Sequence, residues 1–240
     1  MSNSYRETRE ALAAAHRMAV LDGLNEGTWN HFSAIPPERP DLMLVSPLDR
    51  HWRQVTASNL VLVDAEGRAV EGGIFDHAAY FFHYPIHRSH PQGACVLHAH
   101  PPYATALTMI EGGRLRIADQ NGGALYGRIA YLDDYAGFVL DPDHGRRVAD
   151  ALGDKRVLFL RNHGVIVVGP TIADAYTDLY HLERACMMQA HAAALGGPLA
   201  LIPEAVGRSL AADAERVGYK LTHFQAMTRL VAAEQPDYCN

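Results

Sequence analysis

The sequence predicts an α/β or α+β chain built on a mixed sheet, within one domain spanning residues 1–240. Three observations carry this. Short β-type runs recur: LVLVD at 60–64, ACVLHAH at 94–100 and VIVV at 165–168. Long helical periodicities stand between and after them, the clearest at Ile172, Ala175, Tyr176, Leu179, Leu182 and Cys186. Strands and helices alternate without strict βαβ order, which favours a mixed sheet over a parallel one.

Each element has its own signal. Residues 5–22 repeat Leu12, Ala15 and Ala19 at helical spacing, and Gly23 offers a stop. LMLVS (42–46) and LVLVD (60–64) are strands, the second closed by the turn AEGR. DHAAYFFHYPIHR (76–88) reads as a helix disturbed by Pro85. ACVLHAH stops at Pro101-Pro102, and a short helix follows at YATALTM. VLFL (157–160) and VIVV (165–168) form a hairpin around RNHG. Thr171 and Asp174 supply a capping pattern for the long helix, which Gly196-Gly197-Pro198 terminates. A last helical pattern covers 203–233.

Composition narrows the function. The formal net charge is −6, with no basic block, which argues against nucleic acid as a partner. No apolar run approaches the roughly 20 residues of a membrane span. The mixed N-terminus lacks an apolar signal core, so the expected location is cytoplasmic. Cys95, Cys186 and Cys239 are too few and too far apart for a disulfide framework or a cysteine zinc site. Neither GxGxxG nor GxxxxGK[ST] is present, so nucleotide folds have little support. Histidine, with 14 copies, is the unusual residue.

His98 and His100 share one strand face about 6–7 Å apart. Two imidazoles at that spacing can converge on one ion, and a catalytic site adds a third ligand while leaving a position open. His163, in the turn between two strands, is the natural third. The H-x-H pair and the NHG turn, taken alone, fit ordinary hydrogen-bonded histidines at least as well.

CVLHAHPPYATAL (95–107), FLRNHGVIVVG (159–169) and a helix containing HLERAC (181–186) resemble the class II aldolase/adducin family. GTWNHFSA (27–34), LMLVSP (42–47) and VTASNLVLVDAEGRAVEG (55–72) resemble its opening blocks in the same order. The resemblance implies a three-layer α/β/α sandwich around a mostly antiparallel sheet. It also implies a divalent cation (Zn, Mn, Fe or Co), one per subunit, on His98, His100 and His163. It places Thr28, His31 and Ser46 on pocket-lining blocks as substrate contacts. Related active sites lie between subunits, so a homo-oligomer, first of all a homotetramer, is expected.

The sequence departs from the sugar-phosphate aldolases of this family. Their histidine at a helix start matches His77, but Gly73 stands four residues earlier where they carry glutamate. The loop EGGIFDH is short, and Pro47-Leu48-Asp49 replaces a Pro-Ser-Gly phosphate turn. Their proton-donor tyrosine has no clear match, with Asp119 or Gln120 near its place. The resemblance is therefore closer to the decarboxylase and adducin-like branch. It implies a metal-dependent lyase, foremost a decarboxylase of a small non-phosphorylated hydroxylated aromatic or heteroaromatic carboxylic acid. Asp76 is expected as a ligand or general acid/base in place of the lost glutamate, and His77 as turned towards the site. Helical neighbours diverge by about 100°, so the two cannot point the same way. Tyr135 is the candidate donor, contributed by a neighbouring subunit. His83, His87 and His90 are expected on a solvated or intersubunit face, and Glu183 in a structural role. The alternatives are an aldolase on a hydroxy-keto acid with Asp76 or Glu71 as base, an iron-dependent oxidative cleavage enzyme, and a non-catalytic adducin-like scaffold.

Overall fold

The computed structural model describes residues 5–138 and 141–240. Its centre is an eight-stranded sheet of β1 (His31–Ala34), β2 (Met43–Val45), β3 (Val61–Val63), β4 (Ala69–Glu71), β5 (Cys95–Ala99), β6 (Ile129–Leu132), β7 (Val157–Leu160) and β8 (Gly164–Gly169). The order is β4-β3-β2-β1-β5-β8-β7-β6. Every neighbouring pair is antiparallel except β6 and β7. The helices are α1 (Arg6–Leu21), α2 (His77–Ser89), α3 (Pro102–Thr108), α4 (Gln120–Ala124), α5 (Pro142–Leu152), α6 (Ile172–Ala194), α7 (Glu204–Arg216) and α8 (Tyr219–Glu234).

Side-chain alternation along the central strands assigns the layers. Cys95, Leu97 and Ala99 of β5, with Val165 and Val167 of β8, join a core containing residues of α1, α3, α6 and α8. Val96, Ile166 and Val168 point the other way, against Phe82 and Ile86 of α2 and Val148 and Leu152 of α5. The result is the expected α/β/α sandwich. His98 has the same parity as Val96 and so lies on the α2 side.

Several expectations need adjusting. The terminal helical pattern is two helices, because Gly218 takes a left-handed backbone (φ 69°) that an ordinary side chain resists. Helix α2 runs through Pro85 to Ser89, held by the buried Ala79, Phe82 and Ile86. Strand β1 carries no apolar run, only HFSA, yet it pairs with β5 over four residues and sets His31 opposite His98.

Helices α6 and α8 are joined by a buried charge cluster. Asp178, 1% exposed, lies 2.7 Å from Lys220 Nζ and 3.2 Å from Arg156 Nη2, the latter an ion pair not aligned as a hydrogen bond. Glu215 of α7 completes the cluster, 2.9 Å from Lys220 and 3.1 Å from Arg156. Burial pushes the Asp178 carboxyl up, while contacts with Lys220 and Arg128 overcome desolvation and hold Glu215 down to about 2.

Candidate metal centre

His98 is presented by β5 and His100 by the turn after it, where Pro101 ends the strand. Helix α3 then starts under the control of α6. The Glu183 carboxylate accepts hydrogen bonds from the Tyr103 and Ala104 amides, both at 2.8 Å, so it occupies the structural role expected of it. His163 closes the reversal between β7 and β8. Asn162 precedes it with a left-handed backbone (φ 53°), which asparagine tolerates better than most residues. Gly164 lets the two segments approach, since a Cβ there would lie 2.5 Å from His100 Cδ2 and 2.6 Å from the Ala99 carbonyl oxygen.

His98 Nδ1 donates to the Val165 carbonyl oxygen at 3.0 Å, and His100 Nδ1 donates to Glu26 Oε2 at 2.5 Å. These bonds commit the two Nδ1 protons and leave lone pairs on the Nε2 atoms. The Nε2 atoms lie 3.1 Å apart. Two facing lone pairs at that distance repel unless a proton or a cation lies between them. Two nitrogens bound to one tetrahedral zinc would be about 3.3 Å apart. One nitrogen from each of His98, His100 and His163 falls within 4.8 Å of the others, so three converging donors make a cation the better fit. Burial, then the neighbouring imidazoles, pushes His98 well below the usual histidine range. Burial, then His100 and His144, pushes His163 down to about 4. Both rings therefore keep their lone pairs at neutral pH.

The three histidines line a cavity of about 850 Å³. Thr28, His31, Asp76 and Tyr135 also line it. Tyr135, expected as a donor to a neighbouring subunit, lines the cavity of its own chain. His77 and Ser46 are not among the lining residues. Asp76 caps α2 by accepting from the Ala78 amide at 2.9 Å, and His77, one residue on, is exposed with its ring 4.9 Å from that of Phe75. Ser46 is built into the sheet: it accepts from the Phe32 amide at 2.8 Å and donates to His16 Nε2 at 2.6 Å.

Several contacts have no signature in the sequence. Glu26, which orients His100, lies 74 residues away and carries no local signal. Of the solvated or intersubunit face expected for them, the solvated placement does not hold: His83 and His90 are buried within the chain and His87 is half-buried. Helical spacing could have found His83, which shares the buried face of Ala79, Phe82 and Ile86. Glu71 is paired with Arg9 at 2.9 Å and is not among the cavity-lining residues. Asp119 caps α4 by accepting from the Gly122 amide at 2.9 Å.

Part of the wall is apolar: Trp29, Leu48, Phe82, Met109 and Phe138 contribute, and the Trp29 and Phe138 rings stand 6.1 Å apart. None of the described residues lining the cavity is a lysine or arginine.

The sequence pattern of the family described as Class II Aldolase and Adducin N-terminal domain matches residues 10–190. The chain belongs to this family. An adducin-related protein of Schizosaccharomyces pombe is 34% identical over 196 residues, covering 78% of this chain and 59% of the relative. The chain thus spans about three-fifths of that relative's length. Among solved structures, an aldolase II superfamily protein from Pseudomonas syringae is 33% identical with a TM-score of 0.90, covering 100% of this chain and 98% of the other. The L-fuculose 1-phosphate aldolase from Glaciozyma antarctica is 28% identical with a TM-score of 0.86, covering 97% and 92%. The class II aldolase/adducin family expected from the histidine blocks is thus the one found. Among the described residues, no helix is long and apolar enough to cross a membrane.

Proposed function

We propose that this class II aldolase/adducin family member is a divalent-metal-dependent carbon–carbon lyase. In this reading it decarboxylates a small, non-phosphorylated hydroxylated aromatic or heteroaromatic acid, with His98, His100 and His163 as metal ligands. The observation that carries the reading is the pair of anchored imidazoles, their Nε2 lone pairs 3.1 Å apart, opening into a partly apolar cavity. A bound divalent ion, whether Zn, Mn, Fe or Co, supplies Lewis acidity to a carboxylate or hydroxyl oxygen.

The chain's own residues do the rest. Trp29 and Phe138 offer faces on which a planar ring can lie. Thr28 and His31 orient its polar groups. Loss of CO2 breaks a C–C bond and leaves its electron pair on the ring, and a proton from Tyr135 or Asp76 then replaces the carboxyl on carbon. An anion of charge −2 finds no lysine or arginine among the described lining residues, and Leu48 offers no hydroxyl, which argues against a phosphate ester. The apolar rim, with Trp29, Met109 and Phe138 all more than half exposed, suits coverage by a neighbouring subunit in a homotetramer. The protein would act in the cytoplasm on a free small molecule.

Two other readings have support. Aldol cleavage of a hydroxy-keto acid would use Asp76 as base, since it lines the cavity while Glu26 is engaged by His100. A non-catalytic scaffold is favoured by the similarity to an adducin-related protein.

A screen of hydroxylated aromatic acids and hydroxy-keto acids, on protein loaded in turn with each metal, separates these readings. The expected product is CO2, one per acid consumed. Pyruvate or an aldehyde would favour the aldolase, oxygen uptake by Fe(II)-loaded protein an oxidative cleavage, and failure to hold any divalent metal the scaffold.

A further inference from the structure

A file of hydrogen-bonded side chains leads away from the cavity, and the proposed reaction leaves most of it unused. His31 Nδ1 lies 2.8 Å from His83 Nε2. His83 Nδ1 lies 2.6 Å from Ser33 Oγ, which lies 2.7 Å from His87 Nε2. His87 Nδ1 meets the carbonyl oxygen of Gly93. His83 and Ser33 are fully buried between the sheet and α2.

The far end of the file dictates the near end. A carbonyl oxygen only accepts, so His87 Nδ1 must carry a hydrogen. A neutral imidazole carries one, and burial keeps His87 neutral by pushing it down to about 4. His87 Nε2 is therefore bare, and the single hydroxyl hydrogen of Ser33 points at it. The alternative acceptor for that hydrogen, the Val96 carbonyl at 3.4 Å, is too distant to compete. Ser33 Oγ can then only accept from His83, so the His83 hydrogen is on Nδ1. Burial pushes His83 well below the usual histidine range too, so its Nε2 is bare. That atom accepts from His31 Nδ1–H. The Nδ1 hydrogen of His31 is thereby used inward; His31 lines the cavity, and in the neutral ring Nε2, the nitrogen outside the file, holds a lone pair. Reversing any one bond would set two lone pairs or two hydrogens against each other.

We propose that this file fixes His31 as a hydrogen-bond acceptor in the cavity, where its Nε2 receives an O–H of the substrate and selects hydroxylated acids over analogues lacking the hydroxyl. The His31 and His98 rings are 4.9 Å apart, so the selected hydroxyl lies beside the candidate metal centre. His83, Ser33 and His87 are positioning residues that act through His31. The inference rests on the reading of the cavity as the substrate site, but the tautomer of His31 is measurable without it.

Long-range proton–nitrogen NMR on the full chain, ¹⁵N-labelled at histidine and loaded with zinc, reads the tautomers directly. His31, His83 and His87 should all carry hydrogen on Nδ1 at neutral pH. A hydrogen on His31 Nε2 would overturn the proposal. In binding assays the wild type should prefer 3-hydroxybenzoate over benzoate by about tenfold, the effect of one satisfied hydrogen bond. Ser33→Ala breaks the file without touching the cavity lining, and it should reduce that preference to near unity and mix the His31 tautomers. Equal binding of the two acids by the wild type, or an unchanged preference in Ser33→Ala, would also overturn it. Should Ser33→Ala fail to fold, the wild-type spectrum and binding ratio decide. Failure of the wild type to bind zinc would instead sink the metal reading, and the metal-free spectrum would still report the tautomer.

Discussion

Replacing His100 by alanine is expected to abolish metal retention and turnover while the fold persists. The residue is half-buried at the cavity, its ring contacts are with His98 and His163, and it follows the end of a strand rather than filling a core. Its removal takes one of three ligands and leaves Glu26, 62% exposed at its side chain, free to turn to water. Loss of a residue that merely orients a ligand typically costs 10–100-fold in affinity, so loss of the ligand itself should exceed about 100-fold. Metal content after gel filtration, beside a thermal melt, checks both halves. A variant with wild-type metal content would remove His100 from the site. A variant that fails to fold would mean the imidazole is structural.

Asp178→Ala should be the most destabilising single change in the charge cluster. Arg156 and Lys220, each 4% exposed, would keep only Glu215, whose side chain is 40% exposed. Breaking a buried pair by deleting one partner costs about 3–5 kcal/mol, because the remaining charge stays buried. For a chain of this size that is a fall in melting temperature on the order of 6–20 °C. Burial raises the Asp178 carboxyl, so the cluster is costly to assemble, and deleting the carboxylate adds the cost of two cations left buried. Helix α6 carries both Asp178 and the Glu183 that anchors α3, so the metal centre should loosen with it. Differential scanning calorimetry of the variant decides; an unchanged melting temperature would show that solvent or Glu215 compensates both cations.

What the sequence made legible follows from the range of each signal. The period-two alternation around His98 is local, and the strand forms there, ending at Ala99 so that His100 stands in the turn after it. The RNHG reversal is local too, and Asn162 adopts the backbone that such a turn needs. Motif order along the chain sufficed for the family and the sandwich. Contacts across the fold were hidden. Glu26 meets His100 over 74 residues, and His31 meets His83 over 52, with no spacing rule to link them. Strand β1 escaped notice because its HFSA mixes polar and apolar residues that are all buried between two neighbours, so alternation carries no information there. Gly218 was read through as helix because the flanking apolar positions kept the helical period. His77 was drawn towards the site by likeness to a family position, whereas Asp76, as the helix cap, fixes the geometry and sends the two side chains apart.

The central claim, three imidazoles on one divalent ion beside an open coordination position, is tested most directly by X-ray absorption at the zinc edge on protein loaded with one zinc per chain. Three nitrogen scatterers at about 2.0–2.1 Å are expected, with a light oxygen completing the shell. Sulfur scattering at about 2.3 Å, or a spectrum of aqueous zinc, would contradict it.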